Sequence, residues 1–191
     1  MPTEARVDQR FGGEISKQIG DDMKRTLLVE SVAMIALALV AASPAADKTK
    51  SEEAFDRLAT LKGEWRGEQE GVKISLIYTL TASGSALMEE FRPESGAVMI
   101  TMFTVDGDHL LATHYCSAKN QPHMMTSAIT DVQKPLAFSL ARITGLKSPD
   151  GWHNTGLTVT QEDSDHLTQE WTYQSKGKSG KRIFRYTRVH P

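Results

Sequence analysis

His114, Tyr115, Cys116 and His123 are the residues of this chain whose types and spacing come nearest to a reactive site. In an extended strand, residues 114 and 116 share one face and Tyr115 takes the other, while the short turn over 117–122 can return His123 beside them. A histidine next to a thiol or a phenol forms an acid/base or nucleophile pair, and two histidines with a thiol are donors for a soft metal. The spacing matches no zinc pattern, so no metal site is assigned. Cys116 is the single cysteine, which excludes an internal disulfide. Other candidates are poorer. Glu89 and Glu90 are strand neighbours on opposite faces and cannot act as a carboxylate pair. Gly84-Ser85 lacks the spacing of a nucleophile elbow, and Gly177-Lys178-Ser179 lacks the upstream glycine of a phosphate loop. No catalytic residue is assigned. An enzyme using His114 with Cys116 or Tyr115 remains an alternative.

The elements that must position these residues are almost all strands. Thr49 and Glu52 have the spacing of a capping box, and Phe55, Leu58, Ala59 and Leu61 recur at helical spacing before Gly63. Beyond that short helix the period changes from 3.6 to 2. Ten segments follow: Gly63 to Gln69, Ile74 to Leu80, Ala86 to Arg92, Ala97 to Val105, His109 to Cys116, His123 to Ile129, Leu136 to Ile143, Trp152 to Gln161, His166 to Tyr173 and Lys181 to Val189. The turns between them are short, as at Asp106-Gly107 and Ser148-Pro149-Asp150-Gly151. Successive strands at hairpin spacing make an antiparallel sheet, and closure into a barrel removes its exposed edges.

The first 45 residues differ in kind. Residues 1–22 form a polar leader with no apolar period, and Met23 is a candidate natural start. Lys24 and Arg25 then precede a charge-free run from Ser31 to Ala42, ending in small residues up to Ala46. That is the pattern of a signal peptide over residues 23–45, cleaved after Ala42 or Ala45. The run is about 12 residues, where spanning a bilayer needs about 20. No cysteine follows either cut, so no lipid anchor is expected. Residues 46–191 form the mature barrel domain.

Leu61-Lys62-Gly63-Glu64-Trp65-Arg66-Gly67, a Gly-x-Trp-x-Gly string opening the first strand, resembles the calycin group: the lipocalin-like and nitrobindin-like barrels that bind small apolar molecules or haem. The resemblance implies that Trp65 closes the barrel floor beneath a basic residue of the last strand, here Arg188, with Arg185 as the alternative. Thr113-His114-Tyr115-Cys116, followed by Asn120-Gln121-Pro122-His123-Met124, is similar to small secreted bacterial proteins of a lipocalin-like domain-of-unknown-function family. Nitrobindin-like barrels hold haem iron through a histidine late in the chain, where this sequence has His153 and His166. Haem binding is therefore a second alternative, and no cofactor is assigned.

The chain has 191 residues with a formal net charge of −2, which gives no whole-chain case for nucleic-acid binding. The basic run Lys176, Lys178, Lys181, Arg182, Arg185 and Arg188 reads as a solvated hairpin face. The function expected is binding of a small, largely apolar molecule inside an exported barrel, in the periplasm or outside the cell. Tyr78, Met88, Met102, His114 and His123 are the pocket candidates, with Trp65 and Arg188 as floor; oligomeric state stays open. Intact mass of periplasmic material is expected to begin at Ser43 or Ala46. Recovery of full-length chain from the cytoplasm contradicts export.

Overall fold

A computed structural model describes residues 47–190. The polar leader and the signal peptide lie outside the described residues. A single α-helix, α1 (Lys50–Ala59), opens the described chain. Its capping box is formed: Glu52 N–H donates to Thr49 Oγ1 at 3.2 Å and Thr49 N–H to Glu52 Oε2 at 2.7 Å. Ser51, Ala54, Phe55 and Leu58 make its buried stripe, the spacing that places side chains on one helical face.

Ten strands follow, β1 (Gly63–Gln69), β2 (Val72–Thr81), β3 (Ala86–Pro93), β4 (Met99–Asp106), β5 (His109–Tyr115), β6 (Gln121–Thr126), β7 (Leu136–Thr144), β8 (His153–Gln161), β9 (His166–Ser175) and β10 (Lys178–Arg188). Each pairs antiparallel with its sequence neighbour, and β1 pairs with β10 to close the barrel. The all-β antiparallel barrel with a short N-terminal helix is the architecture expected from the alternation. Among the described residues, no helix is long and apolar enough to cross a membrane.

The sixth strand departs most from the expected extents. It starts at Gln121 and ends at Thr126, where the alternation suggested His123 to Ile129. The chain leaves the sheet because its backbone is engaged elsewhere: Ile129 N–H donates to Asp108 O at 2.8 Å, and Arg57 of α1 holds the carbonyls of Val132 and Lys134. Ile129 and Val132 thus pack against the core as a strap rather than as a strand.

The barrel end nearest α1 is plugged. Trp65 is fully buried there, its indole N–H donating to Leu61 O at 2.8 Å. The Arg188 guanidinium lies 4.1 Å from the centre of the Trp65 ring, directly across the β1–β10 seam. It also donates to the carbonyls of Ser164, Lys62 and Thr60 at 2.7, 3.0 and 3.0 Å. Arg185 faces outward and is exposed. Phe55, Leu58, Leu61, Leu76, Leu87, Phe103, Leu110 and Phe138 belong to the same apolar cluster.

The second glycine of the Trp65 string has a packing reason. A Cβ on Gly67 would stand 2.4 Å from Arg185 O and 2.8 Å from the Tyr186 ring, so the seam can close only where that side chain is absent. Trp65→Ala is expected to destabilise the barrel by about 3–5 kcal/mol as a buried aromatic truncation, and Gly67→Ala by about 1–3 kcal/mol through the clash at the seam. Urea unfolding measures both; a loss below about 0.5 kcal/mol for Trp65→Ala would place that ring at the surface.

Candidate functional site

At the end away from the Trp65 floor the barrel holds a cavity of about 270 Å³. Its wall is largely apolar, with Ile74, Phe91, Met99, Trp171 and Phe184 among the lining residues. Phe91 meets Phe184 edge-on at 5.6 Å between ring centres. At the mouth, Trp152 stacks on Tyr173 and the Arg182 guanidinium lies 5.7 Å from the Tyr173 ring.

The inner end of the cavity is polar, and register explains why. Tyr78, Glu89, Thr101 and His114 are successive cross-strand partners on β2, β3, β4 and β5, so the pleat turns all four to the interior in one row. Tyr78 donates to Glu89 Oε2 at 2.6 Å, and Thr101 Oγ1 lies 3.2 Å from Glu89 Oε1 and 3.0 Å from His114 Nδ1. From the opposite wall, Gln169 of β9 reaches Tyr78 and Glu89 at 2.9 and 2.6 Å through its amide nitrogen. Trp171 donates to the Gln169 amide oxygen at 3.1 Å.

Of the four in the row, Glu89 at 1% exposure and His114 at 3% line the cavity itself. Burial raises the Glu89 carboxyl above the usual carboxylate range, against the opposing pull of its three donors. Burial also holds the Tyr78 and Tyr186 phenols neutral. Desolvation lowers His114 from the ordinary 6.5 to about 4, so its ring is neutral near pH 7. Nε2 of that neutral ring has no hydrogen-bond partner in the protein, although the ring centre lies 4.8 Å from that of Trp171 with the two planes tilted at 53°.

The pocket candidates divide by pleat. Tyr78 and His114 belong to the interior row, and His114 lines the cavity. Met88, Met102 and His123 do not: Met88 pairs with Met102, Met102 with Thr113 and Thr113 with His123, a row one residue out of phase on the outer face. His123 there meets Thr113 at 3.2 Å. The pairing of His114 with Cys116 or Tyr115 is not made. His114 Nδ1 meets Thr101, the Cys116 thiol accepts from Ala118 N–H at 3.4 Å beyond the strand end, and Tyr115 points outward at 50% exposure.

The residues do not fit a haem held by a late histidine. His153 Nδ1 is bonded to Gly151 O at 2.7 Å and does not line the cavity, while His166 pairs with Asp163 at the turn into β9. The one cavity histidine is His114, in mid-chain. Among the described residues, no three His, Cys, Asp or Glu side chains converge as a metal site would need.

Glu89, Thr101, Gln169 and Arg182 are the site residues that sequence reasoning missed. The available signal was parity, and it is clear only for Glu89: Leu87 and Phe91 flank it at two-residue spacing while the opposite face of the strand carries Glu90 and Arg92, whereas around Thr101 both faces are apolar.

The fold and cavity together define a ten-stranded antiparallel barrel closed at one end by a Trp–Arg floor and entered from the other. No family model and no curated protein matches the chain. Among solved structures, a protein of unknown function from the DUF3598 family of Nostoc punctiforme is similar over 68% of this chain and 48% of its own, with 14% identity and a TM-score of 0.37. The chain thus spans about half the length of that protein.

The lowered His114 sets a direction for pH dependence. Between about 6.5 and about 4 the unfolded state binds the His114 proton and the folded state does not, so this residue's contribution is complete above that window and is lost as pH falls through it. The loss reaches about 3 kcal/mol. Urea unfolding of the wild type minus that of His114→Gln should show this slope; a difference independent of pH from 4 to 7 would contradict a buried neutral imidazole.

Proposed function

We propose that this chain is an exported, calycin-type binding barrel whose cavity takes up a small, largely apolar molecule, for carriage, sequestration or sensing. The observation that carries the reading is the cavity itself: a space of about 270 Å³ with a largely apolar wall, lined also by the buried His114, whose Nε2 has no partner in the protein. An apolar wall with few convergent polar groups is the usual make-up of a small-molecule site, and this volume lies just below the ~300–1,000 Å³ typical for drug-sized ligands. One- or two-ring molecules suit it. Export is supported by the signal-peptide pattern of residues 23–45.

Naphthalene is a suitable neutral probe, since it offers only apolar surface. Binding beside Trp171 should quench tryptophan fluorescence saturably, with a Kd on the order of 100 μM, equivalent to about −5.5 kcal/mol. Met99→Trp, which fills the cavity from its wall, should weaken binding at least about tenfold while the fold is retained. Absence of saturable quenching in the wild type, or equal binding by a folded Met99→Trp variant, would contradict the reading.

A further inference from the structure

We propose that His114, Thr101 and Glu89 form a proton relay at the inner end of the cavity, and that the ligand is a small apolar weak acid such as a phenol, an enol or a carboxylic acid. It is held as the anion while Glu89 holds one proton. The proposal rests on the binding reading above and names its ligand class.

The hydrogen-bond directions leave little freedom. The Trp171 indole N–H can only donate, so it fixes the Gln169 amide with Oε1 towards Trp171 and Nε2 towards Tyr78 and Glu89. Tyr78 accepts from Gln169, so its own proton goes to Glu89 Oε2. Oε2 then receives two donors, and any proton carried by Glu89 must sit on Oε1, facing Thr101 Oγ1. The Thr101 hydroxyl has one hydrogen and stands between Glu89 Oε1 and His114 Nδ1.

Two arrangements satisfy these bonds. With Glu89 ionised, Thr101 donates to Glu89, His114 carries its proton on Nδ1, and Nε2 presents a lone pair. With Glu89 neutral, Oε1–H donates to Thr101, Thr101 donates to His114 Nδ1, and Nε2–H is a donor. One is converted to the other by a proton delivered at Nε2. The ligand O–H bond breaks as the Nε2–H bond forms; the Nδ1 proton moves to Thr101 Oγ1, and the Thr101 hydroxyl proton moves to Glu89 Oε1. The electron pair of the broken O–H bond stays on the ligand oxygen, which now accepts from Nε2–H. His114 and Thr101 end with the number of protons they began with.

Electrostatics favours this direction. The negative charge leaves the wholly buried Glu89 and passes to a ligand in a cavity with Arg182 at its mouth. The other ionisable groups facing the relay are the Tyr78 phenol on β2 and the Tyr186 phenol on β10, both kept neutral by burial. Glu70 in the turn after β1 also lines the mouth and opposes Arg182 there.

The probe is 4-nitrophenol with the full chain, because its phenol and phenolate absorb at different wavelengths. Calorimetry in buffers of different ionisation heat, at a pH where free probe is phenolate, should show uptake of about one proton per bound probe. Below the probe's own titration, bound probe should still absorb as phenolate. Glu89→Gln turns its amide N–H towards Thr101 and so fixes Nε2–H; phenolate that binds this variant should do so with proton uptake near zero. Thr101→Val breaks the chain, and should lose the uptake and weaken phenolate binding about tenfold; it carries the test if Glu89→Gln does not fold. Binding without proton uptake, uptake that persists in either variant, probe bound as the phenol, or no binding of nitrophenol where naphthalene binds, would each overturn the relay. Failure of both probes would overturn the binding reading itself.

Discussion

The seam between the first and last strands governs this molecule. Ten strands of a twisted sheet have two edges until β1 and β10 meet, and they meet across Trp65, Gly67, Tyr186 and Arg188. One residue, Arg188, does three jobs there. It lies over the Trp65 ring, holds carbonyls of the segment leading into β1, and anchors the turn before β9 through Ser164. With α1 and the strap around Ile129 and Val132 packed beneath, that end is solid. Access to the interior is left at the opposite end, and the cavity is found there.

The second constraint is the polar row in an otherwise apolar interior. A buried carboxylate costs several kcal/mol unless it is paired or neutralised, and each donor left unmatched costs about 1–3 kcal/mol more. Tyr78, Thr101 and Gln169 meet that requirement at Glu89, and Trp171 fixes the Gln169 amide in turn. The row ends at His114, where the network meets the cavity with one nitrogen unsatisfied. Structural polarity and ligand recognition therefore share the same side chains.

The fold was legible because its signals are local and repetitive. Alternation, Asp-Gly turns and the capping box at Thr49 each state their own element, and the Gly-x-Trp-x-Gly string with a terminal Arg188 indicates where the barrel shuts. The site was legible only in part. β4 is apolar on both faces, with Ile100 and Met102 outside and Met99 and Phe103 inside, so hydrophobicity alone does not say which of its parities looks inward. Met88 and Met102 lie on the outer row, and His123 joins them there through its ladder partner Thr113, because the turn that returns it does not set it on the face of His114. Gln169 and Arg182 come to the site from β9 and β10, about eighty residues or more along the chain from Glu89, a convergence that only closure creates.

The measurement that bears most directly on this account is a crystal structure of the protein soaked with 2-naphthol, which joins the apolar rings suited to the cavity to one hydroxyl. The account predicts density for both rings between Phe91, Met99, Trp171 and Phe184, with the oxygen within hydrogen-bonding distance of His114 Nε2. Density for the probe on the outer Met88 and Met102 face, or side chains collapsed into the space where the cavity should be, would contradict it.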